Sequence, residues 1–161
     1  MKPMTEKEAL VKLSTQCVKS EHCRGEMMQK LRRMNLTDEQ RQHVLNQLVE
    51  EKFVDDKRFA RAFVSDKVKY NGWGRRKIEQ ALRMKGVAEA DYREALDGVP
   101  ADDYEETLRE LIKRKWATIH ASSDYERSGK LIRFAMGRGF SLEEIRRCID
   151  GLSNLDDIGD E

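Results

Sequence analysis

A 19-residue register occurs three times in this chain, and it restricts the fold more than any other feature. Residues 30–48, 81–99 and 134–152 align without a gap, at offsets of 51 and then 53 residues. Apolar residues share columns of this alignment: Leu36 with Val87 and Phe140, Leu45 with Leu96 and Ile149, and Leu48 with Val99 and Leu152. Repeats of this length are typical of stacked supersecondary units. Such arrays present an extended binding surface rather than one deep catalytic pocket.

The repeated unit is predicted to consist of helices. The 161 residues include only two prolines, and the frequent Glu, Lys, Arg, Gln and Leu residues favour helix. Three segments match the capping-box pattern that starts many helices: Thr5–Glu8, Thr37–Gln40 and Ser141–Glu144. No segment shows the sustained alternation of a strand. We therefore expect an all-α fold, an elongated and curved array of three three-helix repeats that resemble helix-turn-helix units.

Local signals predict where each repeat begins and ends. The predicted bounds are 1–53, 54–100 and 101–152 for the three repeats, and 153–161 for an acidic, frayed tail. Asn35 and the aligned Gly86 and Gly139 are expected to close the second helix of each repeat, because these residue types tolerate the left-handed conformation.

Two acidic pairs, Asp55-Asp56 and Asp102-Asp103, occupy the same place in successive repeats. Paired carboxylates suit Mg²⁺ binding and carboxylate chemistry, but they also cap helix N-termini. Because each pair opens a predicted helix, capping is the favoured interpretation.

Composition indicates a soluble, cytoplasmic protein. Hydrophobic residues make up 39% and charged residues 38%, which favours several thin cores over a single thick one. No apolar run of 18 residues occurs, so no membrane-spanning segment is expected. Cys17, Cys23 and Cys148 form neither a Cys-x-x-Cys pair nor an even-numbered framework, which is typical of reduced thiols in the cytosol.

Charge is strongly segregated although the net charge is only +1. Residues 57–85 contain ten basic and two acidic side chains, whereas residues 100–161 contain ten basic and fourteen acidic ones. Charge blocks of this kind indicate partners rather than folds. A solvated face is the alternative interpretation. The candidate partner- or DNA-binding residues are Lys57, Arg58, Arg61, Lys67, Lys69, Trp73, Arg75, Arg76, Lys77, Arg83 and Lys85.

Two details of the basic stretch favour an anionic partner. Arg75, Arg76 and Lys77 follow Gly74 and fall in the first turn of a predicted helix, where cations are unfavourable. Trp73 lies on a glycine-flanked turn among these cations. It suits stacking on a base or insertion into a partner groove, and it equally suits filling a gap between two helices of its own repeat.

The sequence contains no constellation that indicates catalysis. No phosphate-binding glycine loop occurs, and the histidines and cysteines lack the spacing of a zinc site. Cys23 at a predicted helix N-terminus would be expected to have a lowered pKa, but no base partner is evident for it. We therefore predict a non-enzymatic protein without a metal or another cofactor.

The chain resembles the bacterial RecX family, which regulates the RecA recombinase. The resemblance rests on Val54–Val64, which is similar to a hydrophobic-Asp-Asp-x-Arg-Phe-Ala signature, and on Gly74–Val87, which is similar to a Gly-x-x-x-Ile-x-x-x-Leu-x-x-Lys-Gly pattern. Arg24, Glu26 and Leu31 match as well, whereas Cys23 stands where the family usually has Ser.

This resemblance implies a monomeric array that binds along a RecA filament on DNA and mostly inhibits its ATPase and strand-exchange activities. The partners that it implies are the RecA filament and, through the basic middle repeat, single-stranded or duplex DNA. An autonomous DNA-binding module of the helix-turn-helix kind is the alternative, and the small net charge counts against it.

Overall fold

Helices account for all of the regular structure in the described part of the chain. The computed structural model describes the backbone of residues 3–159 and the side chains of residues 3–151. The helices are α1 (Glu6–Lys19), α2 (Arg24–Arg32), α3 (Asp38–Glu50), α4 (Asp56–Asp66), a π turn (Lys67–Asn71), α5 (Arg75–Met84), α6 (Glu89–Asp97), α7 (Ala101–Trp116), α8 (Asp124–Gly137) and α9 (Leu142–Gly159). The all-α prediction is confirmed. The side chains of Leu152 and of the predicted acidic tail lie outside the described residues.

Two of the three predicted capping boxes form, whereas at Thr5 the hydroxyl accepts the N–H of Glu8 at 3.1 Å without the reciprocal bond. The backbone N–H of Gln40 donates to Thr37 Oγ1 at 3.1 Å, and the N–H of Thr37 donates back to Gln40 Oε1 at 2.9 Å. The same reciprocal pair joins Ser141 and Glu144, at 3.2 and 3.0 Å. Each box satisfies two backbone donors that a helix start would otherwise leave unpaired.

The chain divides into two compact units, and the division passes through the second predicted repeat. One unit comprises Met1–Phe63 with Ala81–Ala95, and the other comprises Val64–Gln80 with Leu96–Glu161. Both α4 and α5 therefore contribute residues to each unit. The predicted bounds of the three repeats stay a prediction.

The core of the first unit lies among α1, α2 and α3. Its buried residues are Ala9, Leu13, Met27, Leu31, Leu36, Val44, Leu45, Leu48 and Val54. Three apolar columns of the 19-residue alignment contribute to this core, through Leu36, Leu45 and Leu48. Burial of such side chains contributes on the order of 1.5–3 kcal/mol each, which makes this core the main support of the unit.

The core of the second unit lies among α7, α8 and α9. Its buried residues are Leu108, Ile112, Leu131, Ala135, Phe140, Ile145 and Cys148. Phe140 and the partly buried Ile149 represent two of the shared columns. Cys148 packs as a small apolar side chain in this core, as the sequence predicts.

Each unit also contains a main-chain joint in which the start of one helix meets the end of another. In the first unit, α2 approaches the Lys85 carbonyl so closely that a Cβ atom on Gly25 would overlap it. Gly86, which follows Lys85, has a φ of +80° and lies just after the end of α5. Glycine is required at position 25 because backbone occupies the space of a side chain.

The joint of the second unit is hydrogen-bonded. The N–H of Gly74 donates to the Arg138 carbonyl at 2.7 Å, and the N–H of Arg76 donates to the Gly139 carbonyl at 3.2 Å. Gly139 has a φ of +99°, and a Cβ there would lie 2.6 Å from the backbone nitrogen of Lys77. These bonds satisfy donors at the start of α5 that have no partner within the helix.

One of the three expected left-handed helix ends is absent. Gly86 and Gly139 have positive φ values, but Asn35 does not. Among the non-glycine residues that the structure describes, Lys52 after α3 has a positive φ, of +63°. The Asn35 carbonyl instead accepts the N–H of Met4 at 3.3 Å. Gly86 and Gly139 adopt the left-handed conformation at turns against which the start of another helix packs. Asn35 is instead next to Met4.

Replacing Gly139 with alanine is expected to destabilise the protein by ~1–3 kcal/mol or more, because the φ of +99° and the backbone of Lys77 both oppose a Cβ atom. Gly137→Ala in the same turn is the matched control, since a Cβ there meets no atom within 4 Å. Urea unfolding followed by circular dichroism measures both. Equal stability of the two variants would contradict the close approach of the Gly139 and Lys77 backbones.

Candidate partner and nucleic-acid interface

The first acidic pair caps two different helices. Asp55 Oδ1 accepts the N–H of Arg58 at 3.1 Å at the start of α4, as predicted. Asp56 Oδ1 instead accepts the N–H of Arg24 at 2.8 Å, at the start of α2. Burial raises the pKa of Asp56 above its ordinary value, and the hydrogen bond from Arg24 opposes that rise. The pair is thus structural, but one carboxylate serves a helix 32 residues away.

The second acidic pair does not cap a helix, so the capping interpretation is wrong for Asp102 and Asp103. The N-cap position of α7 is held by Pro100, without a hydrogen bond from its side chain. Both aspartates are exposed and lie in the first turn. Their negative charge still suits the positive end of the α7 dipole.

Cys23 is buried, and its thiol is not activated. Burial raises its pKa to about 11, and its Sγ lies 3.7 Å from the Lys85 carbonyl oxygen as a weak donor. The alternative of a lowered pKa at this helix start is therefore wrong. Desolvation dominates over the helix dipole here, and a neutral thiol at the joint is the result.

An ion pair ties the same joint together. Lys85 Nζ lies 3.1 Å from Glu26 Oε2, and the N–H of Cys23 donates to Glu26 Oε1 at 3.1 Å. Burial by itself raises the pKa of Glu26, but these two contacts outweigh it and hold the pKa below 4.5. Lys85 also lies 5.8 Å from the centroid of the Phe63 ring. This candidate binding residue is engaged within its own unit.

Arg58 is also held in place by its own unit. Its Nε donates to Glu21 Oε1 at 2.7 Å, and one Nη donates to the carbonyls of Lys52 and Phe53 at 3.0 and 3.3 Å. A guanidinium group is suited to this role because its donors lie in one fixed plane. Arg58 satisfies carbonyl groups at the end of α3 and is not available as a simple surface cation.

The remaining candidate binding residues of the first unit, Lys57, Arg61 and Arg83, differ in their surroundings. Arg83 Nε donates to the Tyr92 hydroxyl at 3.1 Å. Lys57 and Arg61 are exposed on α4, and neither forms an ion pair with another described residue of the chain. Those two cations are available to a partner.

The second unit brings three predicted residues together. Trp73 is half-buried, and its ring lies under two ammonium groups, Lys67 Nζ at 4.7 Å and Lys77 Nζ at 4.5 Å from the ring centroid. One lysine belongs to the π turn and the other to α5. The ring therefore fills the space between these segments and concentrates positive charge around itself.

The other cations of this segment fall into two groups. Arg75 forms an ion pair with Asp97 at the end of α6. Lys69 and Arg76 are exposed and have no ion pair within residues 3–151. Like Lys57 and Arg61 in the first unit, they present uncompensated charge to the solvent.

The start of α5 is electrostatically unlike the other helix starts. Every other α-helix described in the chain has at least one acidic residue in its first turn, whereas α5 begins with Arg75, Arg76 and Lys77. Cations at the positive end of a helix dipole cost about 0.3–1 kcal/mol each when exposed. Asp97 compensates Arg75, and the Arg138 and Gly139 carbonyls accept two N–H groups at this helix start, whereas the charge of Arg76 has no acidic partner among the described residues.

The sequence patterns missed one element of this surface, the π turn of residues 67–71. It places Tyr70 outward with 81% of its surface exposed. The signal was present, because the helical stripe of Ala60, Val64 and Val68 is followed by Gly72 rather than by another apolar residue. Gly72 adopts the left-handed conformation, with a φ of +65°, and ends the turn.

A cleft of about 490 Å³ also opens in the second unit. Its lining carries both signs of charge, with Arg75 and Arg147 facing Glu105 and Glu144. Tyr104 lies in its wall and donates its hydroxyl to the Leu96 carbonyl at 3.1 Å, and burial raises its pKa to about 12. No group of three or more metal-ligating side chains occurs among the residues that the structure describes.

Comparisons with known proteins agree with this architecture. Residues 55–96 match the second three-helix domain of RecX, and residues 102–149 match the third three-helix domain of RecX. The regulatory protein RecX of Ectopseudomonas mendocina is 34% identical over 131 residues, which cover 81% of this chain and 85% of that protein. The chain belongs to the RecX family. The resemblance that Val54–Val64 and Gly74–Val87 indicate is thereby confirmed.

Other RecX proteins add to the comparison. The regulatory protein RecX of Thermobifida fusca is 33% identical over 73% of this chain, and the chain spans 64% of the length of that protein. A crystal structure of a regulatory protein RecX superposes with a TM-score of 0.83 at 20% identity, over 90% of this chain and 73% of that one. The latter likeness establishes the shared RecX fold.

The side chains considered for chemistry have structural surroundings. The thiol of Cys23 is buried, and the first acidic pair caps α4 and α2. None of the helices within residues 3–159 combines the length and the apolar character that a membrane span requires.

The Glu26–Lys85 pair makes a pH-dependent contribution to stability. Because the folded state holds the Glu26 pKa below 4.5, its ionised form stabilises the fold above that value, and this stabilisation is lost as the pH falls through the lowered pKa. Glu26→Gln is therefore expected to destabilise the protein at pH 7 and to differ less from the unmodified chain near pH 3. Thermal unfolding across this pH range tests it.

The exposed Glu50, near the end of α3, provides a control for this variant. Glu50→Gln removes the same charge without breaking an ion pair and should leave the pH profile almost unchanged. A Glu26→Gln deficit that stayed constant from pH 7 to pH 3 would refute the electrostatic origin of the effect.

Proposed function

We propose that this chain binds the RecA filament on DNA and modulates, mostly by inhibition, its ATPase and strand-exchange activities. It acts as a cytoplasmic monomer in DNA repair, recombination and the SOS response, and it makes or breaks no covalent bond. Family membership supports the choice of RecA as the partner. The uncompensated cations on the π turn and at the start of α5 support a contact with an anionic surface.

The observation that carries the proposal is a basic segment without acidic residues of its own. Residues 67–77 contain five basic side chains and no acidic one. Lys69 and Arg76 are exposed there, while Lys67 and Lys77 lie over the ring of Trp73. Phosphate groups that approach this segment would release condensed counterions and compensate the charges of Lys69 and Arg76.

The contacts of the basic residues support a smaller set for the proposed interface. Arg58, Arg75 and Lys85 have acidic partners within their own units, so their substitution would disturb the fold as well as any binding. Lys57 and Arg61 in the first unit and Lys69 and Arg76 in the second unit have none. These four residues are the better tests of binding.

The double variant Lys69→Gln, Arg76→Gln is expected to weaken inhibition of the DNA-dependent RecA ATPase at least several-fold, because two charge contacts to the filament are lost. RecA ATP hydrolysis on single-stranded DNA, titrated with each variant at several salt concentrations, measures the effect. The dependence of log affinity on log salt should become shallower by about 1.4 for two lost contacts to single-stranded DNA.

Lys12→Gln, Arg114→Gln is the matched control. It removes one exposed Lys and one exposed Arg outside the basic segment and should inhibit as the unmodified chain does. Equal inhibition by both double variants, with normal melting curves, would remove Lys69 and Arg76 from the interface. Tight binding to DNA without RecA, together with an unaltered RecA ATPase, would favour the autonomous DNA-binding alternative.

A further inference from the structure

Tyr70 is the exposed aromatic side chain nearest to the uncompensated cations. It lies in the π turn with 81% of its surface accessible, and no partner for its ring or its hydroxyl is found among the described residues. Single exposed apolar residues are common on proteins. This one differs because its position is imposed by an irregular backbone and because its neighbours along the chain are Lys69 and Asn71.

The backbone of the π turn holds Tyr70 away from the core. The N–H groups of Gly72 and Trp73 both reach back to the Lys67 carbonyl, the latter at 3.1 Å, which widens the last turn after α4. Val68 is buried, and Tyr70, two residues later, points to roughly the opposite side of this turn. π turns inserted into α-helices are frequently found at functional sites.

Contacts within the second unit fix this turn. Arg138 donates through Nη1 to the Asn71 carbonyl at 3.1 Å, and the Gly74 N–H donates to the Arg138 carbonyl at 2.7 Å. The backbone next to Tyr70 and Trp73 is therefore anchored at Asn71 and Gly74. An anchored backbone loses little conformational entropy when a side chain on it binds a partner, which favours the use of Tyr70 as a contact.

The two aromatic residues are close to each other. Trp73 lies three positions after Tyr70, so their Cα atoms lie within about 11 Å. Trp73 is half-buried under two ammonium groups, whereas the Tyr70 ring is free on the surface. One segment thus offers an open aromatic face next to several positive charges.

We propose that Tyr70 stacks on an unpaired base of single-stranded DNA while Lys69, Arg76 and the lysines around Trp73 hold the neighbouring phosphates. This inference deepens the proposed function, since it rests on the same basic segment. Aromatic side chains beside a cationic track are the usual means by which proteins bind single strands without sequence preference. A duplex keeps its bases stacked and offers no such face, and residues 67–77 contain no acidic side chain that would repel phosphate groups.

Replacing Tyr70 with alanine is expected to weaken binding to a fluorescently labelled oligothymidylate by about 5- to 100-fold, the loss of one stacked base. Binding to a duplex of the same length should change less than twofold. Fluorescence anisotropy without RecA measures both affinities. The variant should fold normally, because 81% of the surface of Tyr70 is exposed to solvent.

Tyr70→Phe is the control variant, since it keeps the stacking face and loses only the hydroxyl. It should bind the oligothymidylate as the unmodified chain does. An alanine variant with unchanged affinity for single-stranded DNA, or a phenylalanine variant as weak as the alanine variant, would overturn the stacking. A Tyr70→Ala variant that binds single-stranded DNA normally but binds RecA more weakly in the absence of DNA would make Tyr70 a protein contact. That result would also overturn the stacking proposal.

These outcomes are separable from those of the proposed function. If Tyr70→Ala leaves single-stranded DNA binding intact while Lys69→Gln, Arg76→Gln still relieves inhibition of the RecA ATPase, the stacking is wrong and the filament proposal stands. If neither variant changes either measurement, both proposals are wrong.

Discussion

The main-chain joint between a helix start and a helix end is the contact on which the arrangement of this chain depends. It occurs in both units, at Gly25 against the Lys85 carbonyl and at Gly74 against the Arg138 carbonyl. At the second joint the N–H groups of Gly74 and Arg76 donate to carbonyls at the end of α8, so that two unsatisfied termini compensate each other. At the first joint the backbones approach closely, and the side chains of Asp56 and Glu26 accept the N–H groups at the start of α2. The basic segment, the π turn and the Trp73 ring all lie beside the second joint.

The positions of the helices and the residues that fill their cores could be predicted from the sequence because both depend on local pattern. Leu36, Val87 and Phe140 share a column and are all buried. The capping boxes of Thr37 and Ser141 formed as expected because all of their atoms lie within four residues. Signals of this range are independent of the rest of the fold.

What could not be predicted depends on residues that are distant in sequence. Asp56 caps a helix that begins 32 residues earlier, and Arg58 finds Glu21 at a separation of 37 residues. Cys23 lost its expected acidity because the Lys85 turn covers it. A list of candidate cations could therefore be read from composition, but the division into engaged and available cations required the three-dimensional structure.

The chemistry of the two joints has a consequence for how freely the sequence can vary. Each joint lies inside one compact unit and depends on peptide groups and on a glycine at the closest approach. Because the groups that meet are main-chain atoms, most of the side chains around a joint can change without removing the contact.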